Sequence, residues 1–216
     1  MRVRTSLLHA ERRRARKSGS EKGQTLVEFA ILVPLFMLLV IALIEFSFAF
    51  NALLNTNYAS RAGGLVAAEA GNASAADCLI LNAIEQTLNP PTDKAQVARV
   101  DVQRTNASGS TVYAASSYQR SGSMSCTRVD GTTLSVPYGA ISSGYPAGQR
   151  CNVLPPYGCP TLTPARTTVD TIAVQITYTY PWHTPLGRMM GFFGGNTTGT
   201  GMTFVERNVF RMEPVL

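Results

Sequence analysis

From Phe29 to Ile44 sixteen consecutive residues carry no charge, and after Glu45 the apolar run resumes through Phe50. A helix rising about 1.5 Å per residue needs roughly 20 mainly apolar residues to cross a bilayer, so this run is long enough to span one. Past Phe50, the residues Leu53, Leu54, Tyr58, Leu65 and Val66 recur at spacings that share one helical face. The helix is therefore expected to continue outward as an amphipathic stalk until Gly71 and Asn72 stop it, although Gly63-Gly64 works against that continuation. A short second helix is expected over Ala75 to Leu88, where Asn89-Pro90-Pro91 forbids a further turn.

Beyond Pro91 the period shortens. Alternating, β-branched and hydroxyl-rich segments separated by Gly and Pro read as strands and loops. Val97 to Arg104 and Thr111 to Tyr118 are expected to pair. Thr168 to Tyr180 is the clearest strand, with Ile172, Val174, Ile176, Tyr178 and Tyr180 on one face. A last strand, Thr203 to Met212, is expected beside it across the loop GFFGGNTTGTG, and the Ser-, Gly-, Pro- and Cys-rich stretch from Ser121 to Pro164 is expected to form long loops. The pattern predicts an α+β fold: a long N-terminal transmembrane and stalk helix, then a small antiparallel β-rich domain with a short second helix. Three parts follow: a basic leader (1–23), the helix (24–71) and an exported domain (72–216).

Charge sharpens this picture. Residues 1–23 hold eight Lys or Arg against Glu11 and Glu21, a net of +6, and the remaining residues carry 11 basic and 11 acidic groups. The surplus belongs to a tail, which gives a nucleic-acid-binding surface little support. By the positive-inside rule the N-terminus stays in the cytoplasm and the C-terminal domain is exported across the cytoplasmic membrane. A removable secretory signal has a shorter apolar core and a nearby small-x-small site. Here the first such candidate, Ser60-Arg61-Ala62, lies ten residues past the apolar end. Residues 1–20 are expected to be disordered or irregular.

Four cysteines, Cys78, Cys126, Cys151 and Cys159, all follow the apolar segment. An even count in a small exported domain suggests disulfides, with three connectivities open. Cys151 and Cys159 bracket a short loop that could close locally, which would leave Cys78 to reach Cys126; free buried thiols are the alternative. With no CxxC pair and only His9 and His183 to supply imidazole, no metal site or cofactor is expected. Trp182 and His183 could line a groove, but no carboxylate or thiol is fixed nearby by spacing. Gly191 to Gly201 lacks a phosphate-loop Lys and reads as a flexible hairpin loop. The triplets at Asn72, Asn106 and Asn196 read as chance matches to the glycosylation pattern. No nucleophile and base stand in recognisable spacing, so catalysis is not expected.

The most informative string is Gly23 through Leu35, GQTLVEFAILVPL, preceded by basic residues. With Gly23, Glu28, Phe29, Ala30 and Pro34, then Glu45-Phe46, it resembles the TadE-like family, minor pilin-like proteins of tight-adherence pilus systems. The ending Arg211-Met212-Glu213-Pro214 also looks like that family's. The resemblance implies cleavage between Gly23 and Gln24 by an aspartyl prepilin peptidase on the cytoplasmic side. It also implies that Glu28, fifth in the mature chain, pairs with the Gln24 amine of a neighbouring subunit. A carboxylate at mid-bilayer costs about 2.5–3.5 kcal/mol on insertion scales, so such a partner would offset a real cost. Glu28 also lies only about 6 Å along the helix from Gln24, which leaves a solvated position at the headgroups open.

Glu45, about 25 Å further along the helix, is expected at the outer interface and solvated. Pro34 deprives the Ala30 carbonyl of its donor and can kink the helix. As a new N-terminus, Gln24 can cyclise and lose its charge. The resemblance implies a minor pilin or pseudopilin whose partners are the prepilin peptidase, other pilins, the assembly machinery and membrane lipid, with no nucleic acid. The alternative is an unprocessed single-pass anchored protein that binds a ligand outside the cell.

Overall fold

The computed structural model describes residues 4–128, 130–185, 187 and 201–214, with side chains from Gly23 onward. Helix α1 runs Arg4–Ala70. The chain divides into two compact units, Met1–Phe46 and Ser47–Leu216.

The first unit is helix from Arg4 onward, which corrects the disordered or irregular leader expected there; residues 1–3 lie outside the described residues. The physical reason is in the composition. Leu, Ala, Arg, Lys and Glu dominate residues 7–22, and all are good helix formers. A segment that extends an existing helix also escapes the nucleation cost. The helix runs on past Pro34, which lies inside it. Large apolar side chains from Leu26 to Ile44 are exposed along it, Phe29 at 68% and Ile31 at 70%. It is part of the one helix among the described residues that is long and apolar enough to cross a membrane. Glu45, expected to be solvated, is buried at 4%.

In the second unit, the remainder of α1 is followed by α2 (Ala76–Thr87) and, among the described residues, seven strands: β1 (Val97–Thr105), β2 (Val112–Gln119), β3 (Met124–Thr127), β4 (Thr133–Val136), β5 (Gly139–Ser143), β6 (Thr171–Pro181) and β7 (Gly201–Arg211). Five strands form an antiparallel sheet in the order β5-β2-β1-β6-β7, and β3 and β4 form a separate hairpin. The α+β architecture expected from the pattern is the one observed. The expected β1–β2 pairing and the last strand beside β6 are both present, the latter in unbroken register from Thr171↔Arg211 to Pro181↔Gly201. The stretch 121–164 is less loop-like than expected, since it contains β3, β4 and β5. These are strands of four or five residues, too short to show an alternation. The loop Gly191 to Gly201 lies outside the described residues except for Gly201.

Period-2 alternation on β6 sends Ile172, Val174, Ile176, Tyr178 and Tyr180 into the core, each at most 1% exposed. They meet Val100 and Val102 of β1 and the α2 face Ile80, Leu81 and Ile84. The face that α1 turns to this core differs from the one expected. Ala52, Thr56, Ala59, Ser60 and Ala67 are buried, while Leu54, Tyr58 and Leu65 are 40%, 57% and 46% exposed. Small residues face inward because the helix lies very close to its neighbours. Ser60 Oγ donates to the Val174 carbonyl at 2.6 Å. A Cβ on Gly63 would stand 2.8 Å from Ile84 Cγ1, and one on Gly64 would run into the Phe210 ring. The glycine pair that counted against a helix is thus the contact that lets it pack. Gly71, at φ +56°, ends α1 in the left-handed conformation that glycine adopts without strain.

Candidate processing and assembly site

The residues singled out by sequence, Gly23, Gln24, Glu28, Phe29 and Pro34, all lie on α1 within the first unit. Gly23 is exposed, and a Cβ there would meet nothing within 4 Å. Its missing side chain is therefore not required by packing. One turn on, Gln24 Nε2 donates to Glu28 Oε1 at 3.3 Å. This contact follows from the i, i+4 spacing and gives the carboxylate a neutral donor within its own chain. The neighbouring Phe29 ring and Pro34 are exposed. What the arrangement offers is an apolar rod with one acidic group near its start.

A glycine at position 23 lowers the cost of locally unwinding the helix by about 1 kcal/mol relative to alanine.

The second unit is held by two disulfides, Cys78–Cys126 and Cys151–Cys159. The first ties α2 to the β3–β4 hairpin and the second closes the local loop, as the spacing suggested. No free cysteine remains among the described residues, and no group of three or more His, Cys, Asp or Glu among them could hold a metal ion.

Sequence reasoning missed a buried polar centre beside the second disulfide. Asp170 Oδ2 accepts from the Tyr145 hydroxyl at 2.7 Å, from the Cys151 N–H at 3.0 Å and from Arg166. Arg150, with a fully buried side chain, pairs with Asp77 on α2. Burial, then the neighbouring Asp170 carboxylate, push the Tyr145 hydroxyl well above its usual range; burial and Asp77 do the same to Tyr118. The backbone completes the closure: Met212 N–H donates to the Asp170 carbonyl, and Glu213 N–H to the Ala68 carbonyl near the end of α1. Two arginines and two aspartates balance here, which makes this centre a lock between loop, helix and C-terminal strand. No local motif could have revealed it, because its members are up to 93 positions apart, from Asp77 to Asp170.

A second charged group joins α2 to the end of β2, where Arg120, just past the strand, makes a two-point contact with Glu85 at 2.6 and 3.0 Å. His183 has its Nδ1 3.1 Å from the Tyr180 hydroxyl and its ring 5.6 Å from that of Phe48 between centroids. Asn106 is engaged in its own turn, accepting from the Thr111 N–H at 3.1 Å. Asn196 lies outside the described residues.

No match was found among curated proteins or among solved structures. The match to the TadE-like model covers the residues where Gly23, Glu28 and Pro34 stand and does not extend to the Arg211-Met212-Glu213-Pro214 ending. That family is a structural, pilus-related one, and the match suggests a pilus-associated protein with an N-terminal apolar helix as a membrane anchor. Over residues 23–65 the chain matches the family model described as TadE-like protein, the same family that its basic leader, Glu28 and Pro34 resemble.

Proposed function

We propose that this chain is a minor pilin-like subunit, a pseudopilin of a tight-adherence pilus system. A prepilin peptidase cuts it between Gly23 and Gln24 on the cytoplasmic side. The family match over residues 23–65, on a helix whose apolar side chains stand exposed, is the observation that carries this reading. Residues 1–23 act as a leader that holds the scissile bond at the inner interface by its charge. Removing them leaves a mature chain with 11 basic and 11 acidic residues, whose helix starts almost directly with apolar residues. Residues 24–71 anchor the chain and then pack with other pilins, and residues 72–216 make specific contacts outside the cell. The disulfides support export, since they persist in oxidising compartments.

Glu28 gives the assembly step its selectivity. Before assembly, the Gln24 side-chain amide satisfies part of its hydrogen-bonding need. Cleavage creates a positive amine at Gln24, and the amine of a neighbouring subunit is a stronger, charge-assisted partner for a carboxylate in a low-dielectric surrounding. The chain supplies a substrate bond and an interface, and the peptidase and assembly machinery supply the chemistry.

Mass analysis of the N-terminal peptide from purified membranes tests the reading. The expected mature chain begins at Gln24, and the leader is retained in a strain without the peptidase. An intact leader in a peptidase-containing strain would instead support an unprocessed, anchored binding protein.

A further inference from the structure

We propose that the end of the second unit formed by Phe48, Phe50, Trp182 and His183 lies against the outer lipid headgroup layer, so that this unit itself carries a membrane-contact surface. This rests on the anchor reading above. Within the second unit, the start of its α1 segment meets the end of β6. The Phe48 and His183 rings are 5.6 Å apart between centroids. Trp182 stands edge-on to Tyr180 at 6.0 Å, and Tyr180 lies 6.0 Å from Phe204 on β7. Tyr180 is buried and roots the group in the core, while Phe48, Phe50 and His183 are exposed. A Cβ on Gly187 would overlap the Trp182 ring, so the indole is wedged between that backbone and Tyr180.

Charge distribution separates this end from the rest of the domain. No Lys, Arg, Asp or Glu occurs in residues 46–60, 171–187 or 201–205. Moving away from the aromatic group, the first charged residue on β7 is Glu206, which accepts from Asn57 Nδ2 at 2.9 Å. The Asp93 residue comes at a similar level, its N–H donating to the Tyr178 hydroxyl at 3.2 Å. Glu45, just before the aromatic residues, is buried. From Phe46 to Asn57 the helix rises about 16 Å, whereas one headgroup layer is about 5–8 Å thick, so the uncharged zone is deeper than the layer it meets. Continuity selects lipid as the occupant: Phe48 and Phe50 belong to the apolar run itself. Rings with an apolar body and a polar edge, such as those of Trp and Tyr, favour the level where a span leaves the hydrocarbon.

Trp182 is the only tryptophan in the chain, so its emission reports on this surface alone. The experiment reconstitutes the full chain at low density into phosphatidylcholine–phosphatidylglycerol vesicles, with or without bromine on the upper acyl carbons. Flotation of the vesicles is measured in parallel. The expected result is that the chain floats, Trp182 emission shifts to the blue, and bromine quenches it. Flotation without bromine quenching overturns this inference and leaves the anchor reading standing. Failure to float overturns both. Protection of Trp182 from aqueous acrylamide without bromine quenching, growing with protein density, would assign the surface to another copy of the chain and likewise overturn the lipid contact.

Discussion

Gly63 offers the sharpest test of how α1 is packed in the second unit. A Cβ at this position would lie 2.8 Å from Ile84 Cγ1, 3.0 Å from Ile84 Cδ1 and 3.4 Å from Val174 Cγ1. Ile84 is fully buried in the core. In an open helix, Gly63→Ala would stabilise by about 1 kcal/mol through helix propensity. Overpacking a filled core costs about 1–3 kcal/mol, so the net expectation is a destabilisation of about 0–2 kcal/mol. Ile84→Ala removes both overlapping atoms and by itself costs about 2–5 kcal/mol. In that background the propensity gain alone remains, so Gly63→Ala should reverse sign and stabilise by about 1 kcal/mol. Urea unfolding of the full chain in detergent, followed by Trp182 emission, measures all four corners of the cycle. The same stabilisation by Gly63→Ala in both backgrounds would refute the close approach.

Removing the Cys78–Cys126 bridge, which spans 48 positions, should cost about 4 kcal/mol, and removing Cys151–Cys159, which spans 8, about 2.5 kcal/mol. Paired Cys→Ala variants compared by urea unfolding check that order, and a larger loss from the shorter loop contradicts it. Asp77→Ala strands a fully buried guanidinium and should cost about 3–5 kcal/mol, while Asp77→Ala with Arg150→Met should recover part of that loss. Thermal melts of the two variants read this directly; equal melting points would count against a buried pair. Tyr118, Tyr138 and Tyr145 all have hydroxyls pushed up by burial, with Asp77, Glu85 and Asp170 respectively adding to it. Since the unfolded tyrosines ionise first, their contribution to stability is complete below about pH 10 and is lost as pH rises further. Melting temperature against pH should therefore be level below that point and fall above it, with Tyr145→Phe flattening the fall.

The strands were legible where they are long. In β6, eleven residues of β-branched and aromatic alternation leave one reading of which side chains face inward, and Asn89-Pro90-Pro91 leaves α2 nowhere to go. The hairpin β3–β4 and strand β5 were not, because four or five residues rich in Ser, Gly and Thr look the same in a loop. The inward face of α1 was misread for a physical reason. Large apolar residues normally mark the buried face, but here distance decides: a helix this close to its sheet can bury only Ala, Ser, Thr and Gly. At the candidate site, Gly23, Gln24 and Glu28 are close in sequence, and a single turn of helix relates them. The Asp170 centre depends on contacts that only the folded chain creates.

If, as proposed, the negative charge at position 28 joins this subunit to its neighbours, removing that charge should release them. Glu28→Gln keeps the side-chain shape and still lets Gln24 donate to its oxygen, so it removes the charge alone. The measurement is recovery of the epitope-tagged chain with pilus components after mild membrane solubilisation, scored beside the mass of its N-terminal peptide. The expected result is normal removal of residues 1–23 with loss of the co-purifying pilins. Co-purification of the Glu28→Gln chain at the wild-type level would contradict it.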